Sequence, residues 1–331
     1  MGTFFKWFFI SWGLLAMLAS LFAIFGPRED GTLDYVFLED QIGPDVDAYF
    51  ASQEARFSDI TPGAEKRVIW AGQPGVRTPL SVIYVHGFSA TSEEIRPVPD
   101  RIAEALGANL VYTRLSGHGR PGDVLNDVSA SDWTRDTAEA IEVGRAVGEQ
   151  VIVIGTSTGA TLLAGAITRA PTLTDDIKGA IFLSPNFGLN SSMAFLLDWP
   201  GARYWLGWVI GHRVQFESSS EAHATYWTRD YPITGLLPMS ALVKSVKALD
   251  FETALVDALF WYSPDDQVVR PDEIERVAYA WDRGFSSATI AHPSLTDADD
   301  PNAHVVAGEI LSPAQTEATV SAMLEWIEGL D

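Results

Sequence analysis

Residues 155–159, with the sequence Gly-Thr-Ser-Thr-Gly, have the types and the spacing of a turn that carries a nucleophilic serine. They follow the apolar, β-branched run at 151–154 and precede a segment rich in alanine and leucine, which favour helix. Small residues two before and two after the serine relieve crowding in a sharp strand-to-helix turn. Such a turn presents the Ser157 hydroxyl at the carboxyl edge of a sheet, where it can attack a carbonyl carbon.

A serine hydroxyl is a weak nucleophile until a base takes its proton, and a carboxylate must orient that base. With a turn of this kind, the acid and then the histidine follow the serine along the chain. His304, in a loop before the last predicted helix, is the candidate base, and His292 is the alternative. Asp266, which follows a predicted strand and precedes an apolar pair, is the candidate acid, with Asp265 as the alternative.

The negative charge that develops on the attacked carbonyl oxygen needs two backbone N–H donors. The N–H of Thr158, next to the nucleophile, is the first candidate for this oxyanion hole. The second is expected in the loop after an earlier strand, where Phe88 is the candidate and Ser89 the alternative. His86 in that loop and His118 in a Gly-His-Gly turn are expected to order the backbone rather than move protons.

The elements that must position these groups alternate along the chain. Apolar runs predict strands at 67–70, 80–85, 110–113, 151–154, 180–183, 258–262 and 288–291. Stretches with helix start and stop signals predict helices at 44–57, 92–106, 131–147, 271–283 and 314–330, the third capped by Ser131. This alternation predicts an α/β fold with a mostly parallel sheet and helices on both faces.

Residues 187–251 interrupt the alternation, and they are too many for a connection without structure of its own. We interpret them as a helical cap inserted into a core formed by residues 67–186 and 252–331. Most of the aromatic side chains in the insertion are expected to form its own core, and a few to line the pocket or touch a bilayer. Residues 27–66 are expected to be a linker and an arm packed on the core.

Residues 7–25 carry no charge, and as a helix these about 19 residues would extend ~28 Å, close to the ~30 Å thickness of bilayer hydrocarbon. We therefore predict a transmembrane anchor within residues 1–26. Lys6 on one side and the mostly acidic residues 28–30 on the other favour a cytoplasmic N-terminus and an extracytoplasmic catalytic domain. The alternative is a signal peptide whose cleavage releases a secreted protein.

Composition limits the partners of the chain. Its 331 residues carry a net charge of -22, which argues against a nucleic-acid partner because phosphate binding needs a basic surface. The absence of cysteine excludes disulfides, thiolate chemistry and cysteine-based zinc sites. We expect no cofactor and no metal, and we expect the acidic residues at 297–300 to form a solvated loop.

Several of these segments together carry a family resemblance. The strand that ends in residues 86–88, the Gly-His-Gly turn at 117–119, the serine turn at 155–159, the segment 263–269 and the late His304 resemble the α/β-hydrolase superfamily. The resemblance covers about residues 67 to 331. One departure is that threonine flanks the serine on both sides, which is expected to change the packing of the turn without removing function.

The resemblance implies an enzyme rather than a binding protein. It implies a serine esterase, lipase-like, that cleaves small acyl esters or lipid-like esters through an acyl-enzyme formed by Ser157, Asp266 and His304. A non-catalytic binding module on the same scaffold is the alternative class, because one fold hosts unrelated functions. An acyl transferase or a peptidase of the same fold is the alternative reaction.

Overall fold

The structure is a computed structural model that describes residues 2–330. In the described part of the chain the strands are β1 (Arg67–Ile69), β2 (Thr78–Val85), β3 (Asn109–Tyr112), β4 (Gly148–Thr156), β5 (Ile177–Leu183), β6 (Arg213–Gln215), β7 (Asp230–Pro232), β8 (Ala258–Trp261) and β9 (Ala288–Ala291). Seven of them form one sheet in the order β1-β3-β2-β4-β5-β8-β9. Only β1 is antiparallel to its neighbour, so the predicted, mostly parallel sheet is confirmed.

Helices cover both faces of this sheet. The α-helices of the described chain are α1 (Gly2–Phe25), α2 (Val46–Glu54), α3 (Val98–Leu106), α4 (Ala130–Val147), α5 (Thr158–Arg169), α6 (Ala202–Ile210), α7 (Glu221–Tyr226), α8 (Leu236–Lys247), α9 (Pro271–Asp282) and α10 (Thr316–Glu328). The first face is packed by α4, α5, α8 and α9, and the second by α3 and α10. The predicted α/β fold class is therefore confirmed.

The central strand β4 shows why its sequence is apolar without interruption. Val151 and Val153 belong to the core on the first face, and Ile152 and Ile154 to the core on the second. All four side chains are fully buried. A parallel strand that is covered on both faces has no solvent side, so it reads as a continuous apolar run. Its carboxyl end delivers the chain directly to the serine turn.

Two predicted helix starts are wrong. α4 is capped by Ser129 rather than by Ser131. The Ser129 hydroxyl accepts the Asp132 N–H at 3.2 Å, and the Asp132 carboxylate accepts the Ser129 N–H at 2.9 Å, which completes a capping box. α3 begins at Val98, not at residue 92, because residues 92–97 form turns in which the Glu94 side chain is buried.

The insertion differs from a purely helical cap. β6 and β7 pair antiparallel, and α6 and α7 flank this two-stranded ladder. The last helix of the insertion, α8, packs on α5, and its Leu242 and Val246 are buried in the main core. The part that lies outside the main core is therefore shorter than the predicted range of 187–251.

Most of the aromatic side chains of the insertion are expected to form its own core, and this expectation is wrong. The insertion has a small core of aliphatic residues: Leu197, Ala202, Leu206, Ile233 and Leu237. Trp205 packs against this core, but Trp199, Tyr204 and Trp208 are exposed. The aliphatic core is built from α6, α8 and the segments that precede them, whereas Trp227 of the insertion is buried in the core on the second face of the sheet.

The N-terminal region consists of the long helix α1 followed by an arm. Within α1, Phe4–Phe25 is long and apolar enough to cross a membrane. Its mean hydropathy is 2.2, and it is not buried against the rest of the protein. These properties fit a membrane span and equally a signal sequence. In the arm, Tyr35, Val46 and Phe50 are buried in the core on the first face of the sheet.

Candidate active site

Ser157 occupies the turn between β4 and α5. Its φ of 51° is unusual for a residue with a side chain, and its N–H donates to the Leu183 carbonyl oxygen at 2.8 Å. A Cβ added at Gly159 would lie 2.1 Å from the Val85 carbonyl oxygen, and one at Gly155 would lie 2.7 Å from the Ala160 nitrogen. The close approach of β2, β4 and α5 therefore requires both glycines.

His304 and Asp266 are in direct contact. His304 Nδ1 lies 2.8 Å from Asp266 Oδ2, while Asp266 Oδ1 accepts hydrogen bonds from the Val268 and Val269 N–H groups at 2.8 and 2.9 Å. Both side chains are buried, and so is Ser157, which is 7% exposed. Because Asp266 occupies Nδ1, the imidazole has Nε2 left for a proton from a nucleophile.

The two alternatives are placed differently. Asp265 is exposed, and its backbone N–H bonds the Ser263 hydroxyl oxygen at 3.2 Å. His292 Nδ1 lies 2.8 Å from the Tyr262 carbonyl oxygen, and its ring packs on the Tyr262 ring with centroids 4.8 Å apart. Within residues 2–330, His292 contacts no carboxylate that could orient it as a base.

A buried carboxylate also supports the backbone around His304. Asp300 Oδ2 accepts the N–H groups of His304 and Val305 at 3.1 and 2.9 Å. The neighbouring Asp299 accepts hydrogen bonds from Thr296 and from the Gln315 side chain. Because Asp299 and Asp300 are buried, the expectation of a solvated acidic loop is wrong for these two residues. Both carboxylates hold this loop by accepting hydrogen bonds, Asp300 from backbone N–H groups and Asp299 from Thr296 and the Gln315 side chain.

The electrostatics of the site raise the pKa of His304. Burial lowers this pKa because it penalises the imidazolium, but the Asp266 carboxylate, with smaller contributions from Glu94 and Asp300, outweighs burial. The net direction is upward from the ordinary value of 6.5. A base of this kind accepts a proton readily and holds it while a leaving group departs.

The two predicted oxyanion donors have no hydrogen-bond acceptor among the described residues. Thr158 is the first residue of α5, so its N–H has no acceptor within the helix. Phe88 lies in the loop after β2. Within residues 2–330, neither the Thr158 N–H nor the Phe88 N–H donates a hydrogen bond. The alternative residue, Ser89, has a φ of 65°, and its carbonyl oxygen accepts the N–H of Thr228 in the insertion at 2.6 Å.

The two buried histidines near this loop have the contacts of ordering residues. His86 Nε2 accepts the Leu115 N–H at 3.1 Å, and its Nδ1 lies 2.8 Å from the Gly87 carbonyl oxygen. Burial lowers the pKa of His86 to about 4, and burial also lowers the pKa of His118 well below its ordinary value. Both imidazoles therefore stay neutral at physiological pH and join the loops after β2 and β3.

One side chain at the site has no counterpart in the sequence reasoning. Glu94 Oε2 accepts the Gly87 N–H at 2.7 Å and the Tyr84 hydroxyl at 2.8 Å, and Tyr84 lies 3.0 Å from Thr156 Oγ1. A Cβ added at Gly87 would meet both Glu94 Oε1, at 2.8 Å, and Ser157 Cβ, at 3.2 Å. In the sequence, Glu94 reads as an ordinary acidic residue near a helix start.

The threonine that precedes the serine takes part in the same chain of contacts. Thr156 Oγ1 reaches the Tyr84 hydroxyl, whereas the buried Thr158 Oγ1 has no hydrogen-bond partner in the described chain. The threonine at position 156 is therefore explained by its contact with Tyr84. Nothing in the structure explains the threonine at position 158.

Comparison with known proteins gives matches over most of the chain. A sequence profile of the alpha/beta hydrolase family matches residues 82–318. A thermostable monoacylglycerol lipase from Bacillus sp. (strain H-257) is 25% identical over 193 residues, which are 58% of this chain and 73% of that protein. Residues 82–318, which the family profile matches, contain the serine turn at 155–159 and the loops that carry Asp266 and His304.

Solved structures resemble the fold. A structure from work on LipS and LipT, two metagenome-derived lipolytic enzymes, superposes with a TM-score of 0.63 at 20% identity, over 81% of this chain and 99% of that one. The monoacylglycerol lipase of Paleococcus ferrophilus superposes with a TM-score of 0.54 at 16% identity, over 79% of this chain and 97% of that one. At these identities the likeness establishes the fold.

Proposed function

The chain belongs to the α/β hydrolase family, and we propose that it is a serine hydrolase that cleaves carboxylic esters. The observation that carries the proposal is the pairing of His304 with Asp266 at the edge of the sheet where Ser157 is held in a strained turn. A carboxylate, an imidazole and a serine in this order make a nucleophile and a base from groups that are weak alone.

In the proposed reaction Ser157 Oγ attacks the ester carbonyl carbon while His304 Nε2 takes the hydroxyl proton. The carbonyl oxygen becomes an oxyanion, which accepts hydrogen bonds from the N–H groups of Phe88 and Thr158. His304 then gives its proton to the departing alkoxide, and an acyl-enzyme remains. A water molecule, deprotonated by His304, attacks the acyl carbon, and the acid product leaves with regeneration of Ser157.

The proposed substrates are acyl esters of small alcohols and lipid-like esters. The Bacillus relative is named a monoacylglycerol lipase, which favours an ester with one long acyl chain and a small polar alcohol. No cofactor is needed for this chemistry, since the nucleophile, base and oxyanion donors are all protein groups. Ser157 is buried, and Thr228 of the insertion donates to the Ser89 carbonyl oxygen in the loop after β2, which supports a role for the insertion as a cap that substrate must pass.

We further propose that α1 is an uncleaved membrane anchor. The helix carries no charge from Trp7 to Phe25, and the arm that follows it continues directly into the folded core. The charges that flank it favour a catalytic domain outside the cytoplasm. N-terminal sequencing of the mature protein tests this point: a first residue within the first turn of α1 is expected, and one beyond Phe25 would identify a cleaved signal.

Turnover of an ester panel tests the catalytic proposal. We expect hydrolysis of p-nitrophenyl esters and of monoacylglycerols, and loss of both activities in Ser157→Ala. The matched control is Ser191→Ala, which removes an exposed hydroxyl and is expected to leave the rate unchanged. No turnover of any acyl ester by folded protein would favour a binding module, and activity that survives in Ser157→Ala would exclude the proposed nucleophile.

A further inference from the structure

The end of α1 packs directly on the turn that opens α6. The Gly201 N–H donates to the Pro27 carbonyl oxygen at 2.5 Å. A Cβ added at Gly201 would lie 2.8 Å from the Phe22 ring, and one at Gly26 would lie 2.6 Å from Pro200 Cβ. The two segments are therefore in direct contact, and the φ of 65° at Gly201 favours glycine there.

An ion pair fixes the same junction. The Arg203 guanidinium donates to both Glu29 carboxylate oxygens at 2.6 and 3.1 Å, and it also reaches the Asn126 carbonyl oxygen at 3.2 Å. The Arg28 side chain turns back to the Ala23 carbonyl oxygen at 2.6 Å and satisfies the end of α1. The insertion is thus attached to the end of the apolar helix at a defined position.

The outward side of α6 is apolar although it faces away from the protein. Ala202 and Leu206 point inward and are buried, whereas Tyr204 and Trp208, one helical turn apart, are 75% and 81% exposed. Three more large apolar side chains near them are exposed by half or more: Phe195, Trp199 and Val209. A helix that borders water would carry charged residues on this side.

We propose that this outer face, formed by Phe195, Trp199, Tyr204, Trp208 and Val209, lies in the headgroup region of the bilayer that α1 crosses. The proposal rests on the proposed anchor. Phe22 is one turn from the end of α1, and a span of ~28 Å in ~30 Å of hydrocarbon puts its ring at the membrane boundary. The turn that touches Phe22, and the face beside it, must then lie at the same depth.

The chemistry of the face fits that depth. Tyrosine and tryptophan favour the zone between hydrocarbon and water, because their rings are apolar and their O–H and N–H groups are polar. The charged residues between 193 and 210 are Asp198 and Arg203, and the side chain of each has a hydrogen-bond partner within the protein. Arg203 pairs with Glu29, while Asp198 accepts a hydrogen bond from Ser240. The face therefore reaches the lipid without an unpaired charge.

This position deepens the proposed function, because the cap would receive esters from the leaflet rather than from water. Removing the two most exposed rings of the face in Tyr204→Ser/Trp208→Ser should lower hydrolysis of an ester carried in phosphatidylcholine vesicles by roughly tenfold. Hydrolysis of a soluble short-chain ester should stay unchanged. Equal losses on both substrates would contradict delivery from the leaflet.

The direct test uses the absence of cysteine from the chain. Single cysteines are introduced into the full-length protein as Leu18→Cys in α1, Trp208→Cys on the outer face and Phe285→Cys as control, since Phe285 is 80% exposed and belongs to the loop before β9. Each is labelled with an environment-sensitive fluorophore and reconstituted in phosphatidylcholine vesicles. Lipids that carry a doxyl quencher near the glycerol backbone then report contact with the membrane.

We expect the label at position 208 to shift to the blue and to lose most of its fluorescence to the quencher, and the label at position 285 to do neither. Quenching at position 18 without quenching at 208 would overturn the outer-face proposal and leave the anchor. Absence of quenching at both positions would overturn the anchor and the face together. Quenching at 208 alone would support a face that binds lipid without a spanning helix.

A separate set of contacts supports a second proposal. We propose that Glu94 is a positioning residue that holds the loop after β2 against the serine turn. Its carboxylate receives the N–H of Gly87, the residue before Phe88, and through Tyr84 it is linked to Thr156, the residue before Ser157. One buried group thus connects the loop that carries an oxyanion donor to the loop that carries the nucleophile.

The charge of Glu94 has no cationic side chain beside it in the described chain, although it is buried. Burial raises the pKa of Glu94, while its two donors and His304 act in the opposite direction. The carboxylates that raise the pKa of His304 are Asp266 and Asp300 from the later loops and Glu94 from the loop after β2. Removing the charge of Glu94 should therefore make His304 easier to deprotonate.

Two substitutions separate the roles of Glu94. In Glu94→Gln an acceptor for Gly87 remains, so kcat should stay near wild type while the acid limb of the pH–rate profile moves to lower pH. In Glu94→Ala the acceptor is lost, and kcat should fall roughly 10²-fold with little change in KM. Glu93→Gln, which removes the neighbouring charge that pairs with Arg67 and Arg96, should leave the acid limb in place.

Circular dichroism and thermal unfolding verify that each Glu94 variant is folded. An unchanged kcat in folded Glu94→Ala would overturn the positioning role. An acid limb that does not move in Glu94→Gln, or that moves equally in Glu93→Gln, would show that the charge of Glu94 does not raise the pKa of His304.

Discussion

The buried carboxylates at the catalytic edge of the sheet and those beneath the N-terminal arm are satisfied in different ways. At the edge, Asp266, Asp300 and Glu94 accept backbone N–H groups, a tyrosine hydroxyl and one imidazole. The described residues place no lysine or arginine in an ion pair with any of the three. Their negative charge stays available to His304.

Beneath the arm each buried carboxylate has a lysine or an arginine beside it. Lys66 Nζ lies 3.6 Å from the Asp136 carboxylate and contacts that of Glu139, and Arg114 donates to both oxygens of Glu54 at 2.8 and 2.9 Å. All five groups are largely buried. Both regions hydrogen-bond their carboxylates, but in the described chain it is the carboxylates of the catalytic edge that raise the pKa of His304. The difference separates groups expected to act in catalysis from groups expected to act in stability.

The largest effect is expected from Asp266→Asn. The amide would lose the charge that stabilises the imidazolium and would disturb the tautomer of His304, so kcat should fall about 10⁴-fold. Steady-state hydrolysis of a soluble ester measures this loss. Asp265→Asn is the matched control and should retain the wild-type rate. A loss confined to the Asp265 variant would move the acid to the neighbouring residue.

Lys66→Met should affect stability rather than catalysis. It would leave Asp136 and Glu139 buried without their cation, at a cost of about 3–5 kcal/mol in the free energy of unfolding. Chemical denaturation of the full-length protein in detergent measures the change, and the acid limb of the remaining activity should not move. A moved acid limb would break the distinction between the two regions.

The pH dependence of the wild type sharpens the same distinction. His304 must be neutral to take the serine proton, and its pKa is raised above 6.5. The rate should therefore fall as the pH drops through that raised value, so the acid limb should lie above pH 6.5. Asp300→Asn should move the limb to lower pH by less than a loss of Asp266 would. A limb below 6.5 in the wild type would contradict the field described here.

The sequence allowed the fold class to be predicted because each parallel strand is covered on both faces, as the apolar run in β4 shows. The order of the serine, the acid and the histidine was also readable, since strand ends and loops could be located. The structure brings His304 and Asp266 together as that order requires. Their catalytic roles stay predictions until activity is measured.

Other features depend on side-chain contacts across the fold and left no pattern in the sequence. Glu94 is ten residues from Tyr84, but its burial depends on how the loop after β2 folds back. The membership of α8 in the main core depends on its contact with α5. The exposed rings of α6 read as core residues, because a sequence does not tell whether an apolar face meets protein or lipid.

The most direct test of the proposed chemistry is covalent labelling of the nucleophile. The folded, full-length protein is incubated with a fluorophosphonate, and the adduct is located by peptide mass spectrometry. We expect one adduct on Ser157, formed at a rate that collapses in His304→Ala and persists in His292→Ala. An adduct on another serine, or no adduct on folded wild-type protein, would contradict this expectation.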